Sequence, residues 1–490
     1  MNGWSMPIYT PRPAQIRILD ECCDALNEGY KNILVNAGTG IGKSAIAMTL
    51  AQGFPRAYIL TNTTQLQNQY KTVFNDYLCE IKGRRHYQCI NNPNTSCDNG
   101  TCRYVNKFNK CPECQYNTAK EEAKKHSRVL TNYHYIYSVF NQFKGRDVCI
   151  FDEAHNLENI LLQLTSEIIE ADTLRDDLNI ELPYYTKPTM YLEDLEEWSN
   201  KYGELKEKET IPKWRDLYEY KNWKYKWLNH NINDNDWIVQ HLPGDKIVFK
   251  SLYPAKYDKQ LMKTGRTRIF LTATIGSFSR WCEYNNLDED EVYYIYEKSP
   301  FPVENRPIIR KYVGKLNYEF WQSKQKVKQL CTIIQGIINM YPDDKCVIHC
   351  TSHYQATLLK NSSLRCITFP EMGERDEFIK EFIDSEKPVV FVSPSLKYGV
   401  DLRDDACRFQ IIVNIPNPNM GDEQIYKRVR EYGDWDWYFY QTCMELQQAY
   451  GRGVRHEEDY CTCYILDKRF DKLLKDHNDL FDEYFLEAII

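Results

Sequence analysis

NAGTGIGKS, residues 36–44, stands directly after an apolar, β-branched run (Asn32–Val35) and directly before a helical pattern (Lys43–Gly53). A phosphate-binding loop reads Gly-x-x-x-x-Gly-Lys-Ser/Thr; here Ala37 takes the place of the first glycine and the rest is intact. Small residues let the backbone of Ala37, Gly38, Thr39, Gly40, Ile41 and Gly42 turn its N–H groups toward phosphate oxygens, and the helix start favours the anion. Lys43 is placed to reach the β- and γ-phosphates, and the Ser44 hydroxyl to ligate Mg²⁺. The strand-then-helix context argues against a mere glycine-rich turn.

Further along, VCIFDEAH at 148–155 is an apolar strand that delivers two carboxylates at its end. Asp152 suits Mg²⁺, and Glu153 suits orientation or deprotonation of an attacking water. An Asp-Glu pair after a strand is ordinarily a loop start; paired with a phosphate loop it reads as the second half of an ATP site. QAYGRGVR at 448–455 adds two arginines three apart, on one face if the segment is helical. Gln448, Arg452 and Arg455 are therefore candidates to complete the site from a second domain, the arginines as fingers on the γ-phosphate.

Other short apolar runs alternate with helical patterns: Ala57–Leu60, Ile269–Leu271, Cys346–Ile348, Val389–Val392, Gln410–Val413 and Cys463–Leu466, with helices such as Ala14–Glu28. Such runs suit strands buried on both faces of parallel sheets, so the fold class is α/β. At 490 residues the chain has room for about three domains. Residues 79–126 (Cys, Gly, Pro, Asn, Lys) and 166–235 (Glu, Lys, Trp, Tyr, with helical stretches Tyr191–Lys206 and Lys213–Asn229) interrupt the alternation. They read as insertions into a first domain resuming at Trp237, and SPFPVENR at 299–306 reads as a linker to a second.

The net charge is −7, with 42% hydrophobic and 27% charged residues, which excludes a disordered chain. No apolar stretch is long enough to span a bilayer and no secretory signal is visible, so no membrane partner and an intracellular location are expected. An acidic balance weakly disfavours nucleic acid, though a basic track can lie on an acidic protein. Five of 18 cysteines (Cys89, Cys97, Cys102, Cys111, Cys114) fall between positions 89 and 114. Without an export signal such clustering points to a metal rather than to disulfides, and spacing alone favours zinc.

In their order, AGTGIGKS, DEAH at 152–155, LTATI at 271–275 and QAYGRGVR resemble motifs I, II, III and VI of superfamily 2 helicases. LTNTTQLQNQ at 60–69, the cysteine cluster after it, TNYHY at 131–135 and SPFPVENRP at 299–307 narrow the resemblance to the XPD/DinG iron–sulfur DNA helicases. It implies two RecA-like parallel-sheet domains, the first interrupted by a Cys-rich iron–sulfur insertion and a small helical arch-like insertion. The implied layout is a first RecA-like domain in three parts (1–78, 127–165, 236–290), an iron–sulfur domain (79–126), an arch (166–235) and a second RecA-like domain (291–490). The implied activity is ATP-driven 5′→3′ translocation on single-stranded DNA with unwinding of forked duplexes, by a monomer. A DNA-repair setting and a cytoplasmic, nucleoid-associated location in a prokaryotic or viral setting go with it.

Residue by residue, the resemblance implies that Arg12 and Gln15 contact adenine, that Asp401 in YGVDL belongs to the nucleotide site, and that His155, Thr272 and Thr274 couple hydrolysis to DNA. Thr61, Gln65, Thr351 and Ser352 match positions that touch the DNA backbone. It also replaces zinc with a 4Fe–4S cluster: Cys89 follows GRRHYQ and Cys114 precedes QYNTAK as first and last ligands do. Cys102 and Cys111 complete that set better than Cys97, which lies in a Pro-Asn-Thr-Ser turn. Lys82, Arg84, Arg85, Arg103, Lys107 and Lys110, interleaved with Tyr87, Tyr104 and Phe108, suit a strand-tracking groove. Tyr398 and Cys461 depart from the family's usual Glu and Gly. Two competing readings share the ATP motifs: a DEAH-box RNA helicase and a nucleotide-switched remodeller without processive unwinding.

Overall fold

Leu34 faces one core, and Ile33 and Val35 on either side of it face another. This two-sided burial gives the strand Asn32–Ala37 its unbroken apolar run. It belongs to a seven-stranded parallel sheet in the order Val292–Glu297, Asn32–Ala37, Gly265–Thr272, Arg146–Asp152, Ala57–Thr61, Arg128–Asn132, Cys79–Glu80. Helices Pro13–Asn27, Lys43–Gln52 and Thr64–Phe74 cover one face through Ile18, Ile46 and Tyr70. The computed structural model describes residues 4–8, 10–104, 111, 113–139, 142–258, 260–360, 366–368, 375–393, 402 and 404–490.

A second parallel sheet has six strands, ordered Ile308–Gly314, Thr462–Asp467, Phe409–Ile412, Cys346–His349, Val390–Ser393, Cys366–Thr368. Two doubly covered parallel sheets are the RecA-like pair expected. In such sheets ligands collect where the strands end at their carboxyl edge. Asn32–Ala37 and Arg146–Asp152 both deliver motif residues there.

Three boundaries differ from expectation. Trp237–Leu242 does not rejoin the first sheet; it pairs antiparallel with Lys246–Ser251, which pairs with Glu167–Glu170. The inserted module therefore runs from Glu167 to Ser251 and is not purely helical. Its core joins Trp237 and Phe249 to Trp198, Tyr202 and Tyr225 of helices Leu192–Lys208 and Pro212–Asn231. Second, Val292–Glu297 is hydrogen-bonded to Asn32–Ala37, so the first domain extends past 290, to the linker. Third, Cys79–Glu80 pairs with Arg128–Asn132, so the cysteine-rich insertion begins after that short edge strand. Edge strands this short carry too few residues to show a periodicity.

Candidate active site

Gly40 and Gly42 both sit at φ +90°, where only glycine is unstrained. Ala37, by contrast, ends the strand in ordinary extended backbone, so this loop tolerates a side chain where the motif has its first glycine. A Cβ on Gly40 would run into the Phe301 ring, and one on Gly38 into the backbone of Ser299. The Ser299 hydroxyl donates to the Thr39 carbonyl at 2.7 Å. The linker thus packs directly on the phosphate loop, a contact SPFP did not announce. Arg12 Nη1 donates to the Gly40 carbonyl (2.9 Å) and Gln15 Nε2 to the Ile41 carbonyl (2.8 Å). These two brace the loop from behind.

Lys43 Nζ donates to the Ala37 carbonyl at 3.3 Å. Burial pulls its pKa down against the attraction of Glu153 and Asp152. Asp152 is oriented by two donors: the Tyr70 hydroxyl at 2.8 Å on Oδ2 and the Glu153 amide at 3.0 Å on Oδ1. Burial, then the Glu153 charge, push its carboxyl up to about 6. Tyr133 donates to the Asp152 carbonyl at 2.7 Å, fixing the backbone below it. Glu153 lies in the left-handed region at φ 57°, an uncommon place for a side-chain-bearing residue and one that recurs at functional sites. Burial raises its pKa, but His155, Lys43, Arg452 and Arg455 outweigh burial and hold it low, so Glu153 is the ionised partner.

A cavity of about 470 Å³ joins these groups. Its walls include Lys43, Ser44, Glu153 and Thr274 from the first domain and Gln448, Arg452 and Arg455 from the second. The segment is helical only as far as Tyr450, the helix Trp435–Tyr450 being capped at Gly451, so the condition under which the two arginines would share a helix face is not met. Arg452 and Arg455 reach the cavity from the following turn, which is pinned by the Arg455 amide on Asp459 Oδ2 at 2.9 Å. Asp401 and Tyr398 lie outside the described residues.

His155 connects this cavity to the third motif. Its Nδ1 lies 3.1 Å from Thr272 Oγ1 and 3.3 Å from a Glu153 oxygen, while its Nε2 is 2.7 Å from the side-chain Nδ2 of Asn156. The Thr272 hydroxyl donates to the Thr274 carbonyl at 2.9 Å and accepts the Thr274 amide at 3.3 Å. The backbone contacts occupy the Thr272 proton, so the ring is the donor, from Nδ1. Burial lowers the His155 pKa against the attraction of Glu153.

Two family models match the chain: the type III restriction enzyme res subunit over residues 8–173, and a helicase C-terminal domain over 327–484. A protein of Methanocaldococcus jannaschii named as a probable ATP-dependent helicase is 21% identical over 93% of this chain and 92% of its own length. The ATP-dependent DNA helicase YoaA of Haemophilus influenzae is 21% identical over 96% and 93%. Among solved structures, an XPD helicase superposes with a TM-score of 0.67, covering 96% of this chain and 99% of its own at 15% identity. Xpd4 of S. tokodaii gives 0.60, with 98% and 99% coverage at 13% identity. Over almost its whole length the chain is similar to ATP-dependent helicases and has the fold of the XPD helicases, which supports the XPD/DinG-type superfamily 2 resemblance. The cavity at the domain junction is where the residues of the phosphate loop, DEAH and QAYGRGVR converge.

The five clustered cysteines lie near enough to one another for their charges to interact. A short hairpin carries Cys89 and Cys97, with the Cys89 amide on the Thr95 carbonyl at 2.9 Å and the Cys97 amide on the Tyr87 carbonyl at 2.7 Å. Cys97 and Cys114 sulfurs are 3.9 Å apart. A Cβ on Gly100 would lie 2.8 Å from the Cys89 sulfur. Burial and then the Cys114, Cys111 and Cys89 thiols push the Cys102 thiol up. Soft thiols are the donors that an iron–sulfur cluster or zinc takes, but among the described residues no three of these sulfurs lie within 4.8 Å of one another. No disulfide forms among the described cysteines.

The basic residues around them are more engaged than the sequence suggested. Arg103 is buried against Asp216 at 2.6 Å, Lys82 bonds Asn68 at 2.7 Å, and Arg84 lies over the Tyr116 ring at 4.2 Å. Lys107, Phe108 and Lys110 lie outside the described residues. Thr61 is fully buried, its hydroxyl on the Thr63 carbonyl. Gln65 lines the ATP-side cavity. Thr351 and Ser352 line a separate cavity of about 530 Å³ in the second domain. Among the described residues no helix is long and apolar enough to cross a membrane.

Proposed function

We propose that the chain is an ATP-hydrolysing DNA helicase that translocates 5′→3′ on single-stranded DNA and unwinds forked duplexes, with a cysteine-ligated 4Fe–4S cluster. The observation that carries the reading is the convergence in one cavity of Lys43, Glu153, Arg452 and Arg455 from both domains. Such a site hydrolyses ATP only when the domains close, which is how a motor converts chemistry into stepping. Lys43 and the loop amides hold the phosphates. Glu153, ionised and 3.3 Å from His155, orients the attacking water and takes its proton. Arg452 and Arg455 stabilise charge on the γ-phosphate from the facing domain.

Ser44 and Asp152 would hold Mg²⁺, which neutralises phosphate charge when bound. Cys89, Cys102, Cys111 and Cys114 would hold the cluster, which supplies a rigid crosslink to a segment too polar to form its own core. The DNA substrate is supported by YoaA, named as a DNA helicase and similar over almost the whole chain. Polarity and the cluster are inferred from the family resemblance. Strand displacement on DNA and RNA duplexes with 5′ or 3′ overhangs tests the proposal. Activity confined to 5′-tailed DNA is expected; preference for RNA, or ATPase without displacement, would replace it with one of the competing readings.

A further inference from the structure

The helix Leu157–Thr165 starts two residues beyond His155 and is held at both ends by other parts of the chain. At its start, the buried Glu158 carboxylate accepts from Arg428 Nη1 (2.7 Å), Trp437 Nε1 (2.9 Å) and Gln441 Nε2 (2.9 Å), all from the second domain. At its end, Lys224 of the inserted module donates to the Leu164 and Thr165 carbonyls at 2.9 and 3.0 Å. A cation there satisfies carbonyls that the helix leaves open and complements its dipole.

The second-domain segment that supplies Arg428 is docked on the same module. Asp422 pairs with Lys250 at 2.9 Å, and Gln424 Nε2 donates to the Ser251 carbonyl at 2.6 Å. Lys427 Nζ donates to the Asp234 carbonyl at 3.1 Å, and Arg428 Nη1 to the carbonyl of Leu252, the residue directly after the module, at 2.9 Å. Arg428 Nε bonds Asp434 at 2.8 Å, and its guanidinium lies 4.2 Å from the Trp437 ring centroid. Lys427–Glu431 is a turn of π-helix, a form found mostly where function retains it.

We propose that Arg428 and Lys224 are positioning residues that make the inserted module, residues 167–251, move with the state of the ATP site. The short helix after DEAH is the connecting rod. Nucleotide draws the second domain toward the first, and the module follows because it is tied to both: to the second domain through residues 422–428 and to the rod through Lys224. Contacts this buried pass on a displacement rather than absorbing it, since packed interiors deform little. The inference needs only the ATP site and is independent of the DNA reading above.

The test uses the full chain with its metal centre, carrying spin labels on unnatural side chains at the exposed positions Met190 (module) and Val73 (first domain). The label–label distance is measured with and without a non-hydrolysable ATP analogue and Mg²⁺. The wild type should shift on nucleotide addition. Arg428→Met and Lys224→Met should each lose more than half of that shift while binding the analogue within about twofold of wild type. Arg428→Lys, which can keep the Glu158 pair but not the fork to Leu252 and Asp434, should fall between. Glu158→Gln, close to isosteric, should also lose most of the shift, and it serves if Arg428→Met does not fold. An unchanged shift in folded variants would overturn the proposal and leave these residues as structural glue. So would a wild type whose module does not respond.

Discussion

His155 Nδ1 and Thr272 Oγ1, from the second and third motifs, are 3.1 Å apart, and the backbone contacts of Thr272 make the imidazole the donor. The contact ties Glu153, proposed to orient the attacking water, to the Thr272–Thr274 loop. Thr272→Val removes the acceptor at almost constant volume, and a buried donor left unpaired costs about 1–3 kcal/mol. Stimulation of ATPase by single-stranded DNA should fall about tenfold, with the KM for ATP within twofold. Steady-state ATPase with and without DNA checks this; unchanged stimulation would remove His155 and Thr272 from coupling.

Glu153→Gln keeps the shape of the site and removes its base. Turnover should fall by about 10²-fold or more, while ATP binding persists, whereas Lys43→Ala should lose phosphate binding itself. Equilibrium binding of a fluorescent ATP analogue alongside single-turnover hydrolysis separates the two. A Glu153→Gln enzyme retaining most of its DNA-stimulated ATPase would refute the assignment.

Arg455 comes from the facing domain, so it should matter for hydrolysis more than for affinity. Arginine fingers contribute on the order of 10³-fold in rate. Arg455→Ala should reduce kcat on that scale with little change in nucleotide affinity. Near-normal turnover would transfer the role to Arg452, which lines the same cavity.

Anaerobically purified protein should be brown, with broad visible absorption. Cys89→Ser, Cys102→Ser, Cys111→Ser and Cys114→Ser should each bleach it and reduce unwinding while leaving much of the ATPase. Cys97→Ser is the deciding variant, because its sulfur lies 3.9 Å from that of Cys114. Retained colour is expected; bleaching would exchange Cys97 for one of the four. A colourless protein with stoichiometric zinc would replace the cluster.

Burial pushes the His349 imidazole down to about 3, against about 6.5 in an unfolded chain. Between these values the unfolded state binds the extra proton. The contribution to stability is therefore full above about pH 6.5 and is lost as pH falls toward 3, by about 1.4 kcal/mol per unit. His349→Gln should flatten the acid side of the stability profile. Thermal melts of both proteins between pH 7 and 5 test this; parallel slopes would contradict it.

Residue order along the chain made the proposed ATP site legible. A phosphate loop needs contiguous small residues, and a carboxylate pair at a strand end is local, so Lys43, Ser44, Asp152 and Glu153 could be read without coordinates. The buried strands were legible for the same reason, since two-sided burial leaves continuous apolar runs such as Asn32–Val35. Tertiary structure alone decided what depends on residues far apart. Tyr70 on Asp152, Ser299 on Thr39 and Arg428 on Glu158 are single side chains whose meaning comes from a partner elsewhere in the sequence. Trp237–Leu242 has the same apolar character whichever sheet it joins, and only its hydrogen bonds to Lys246–Ser251 assign it to the inserted module. Cysteine spacing likewise suggests a metal but not its ligands, because five thiols crowd one stretch of the chain and only the tertiary structure brings the sulfurs of Cys97 and Cys114 to 3.9 Å.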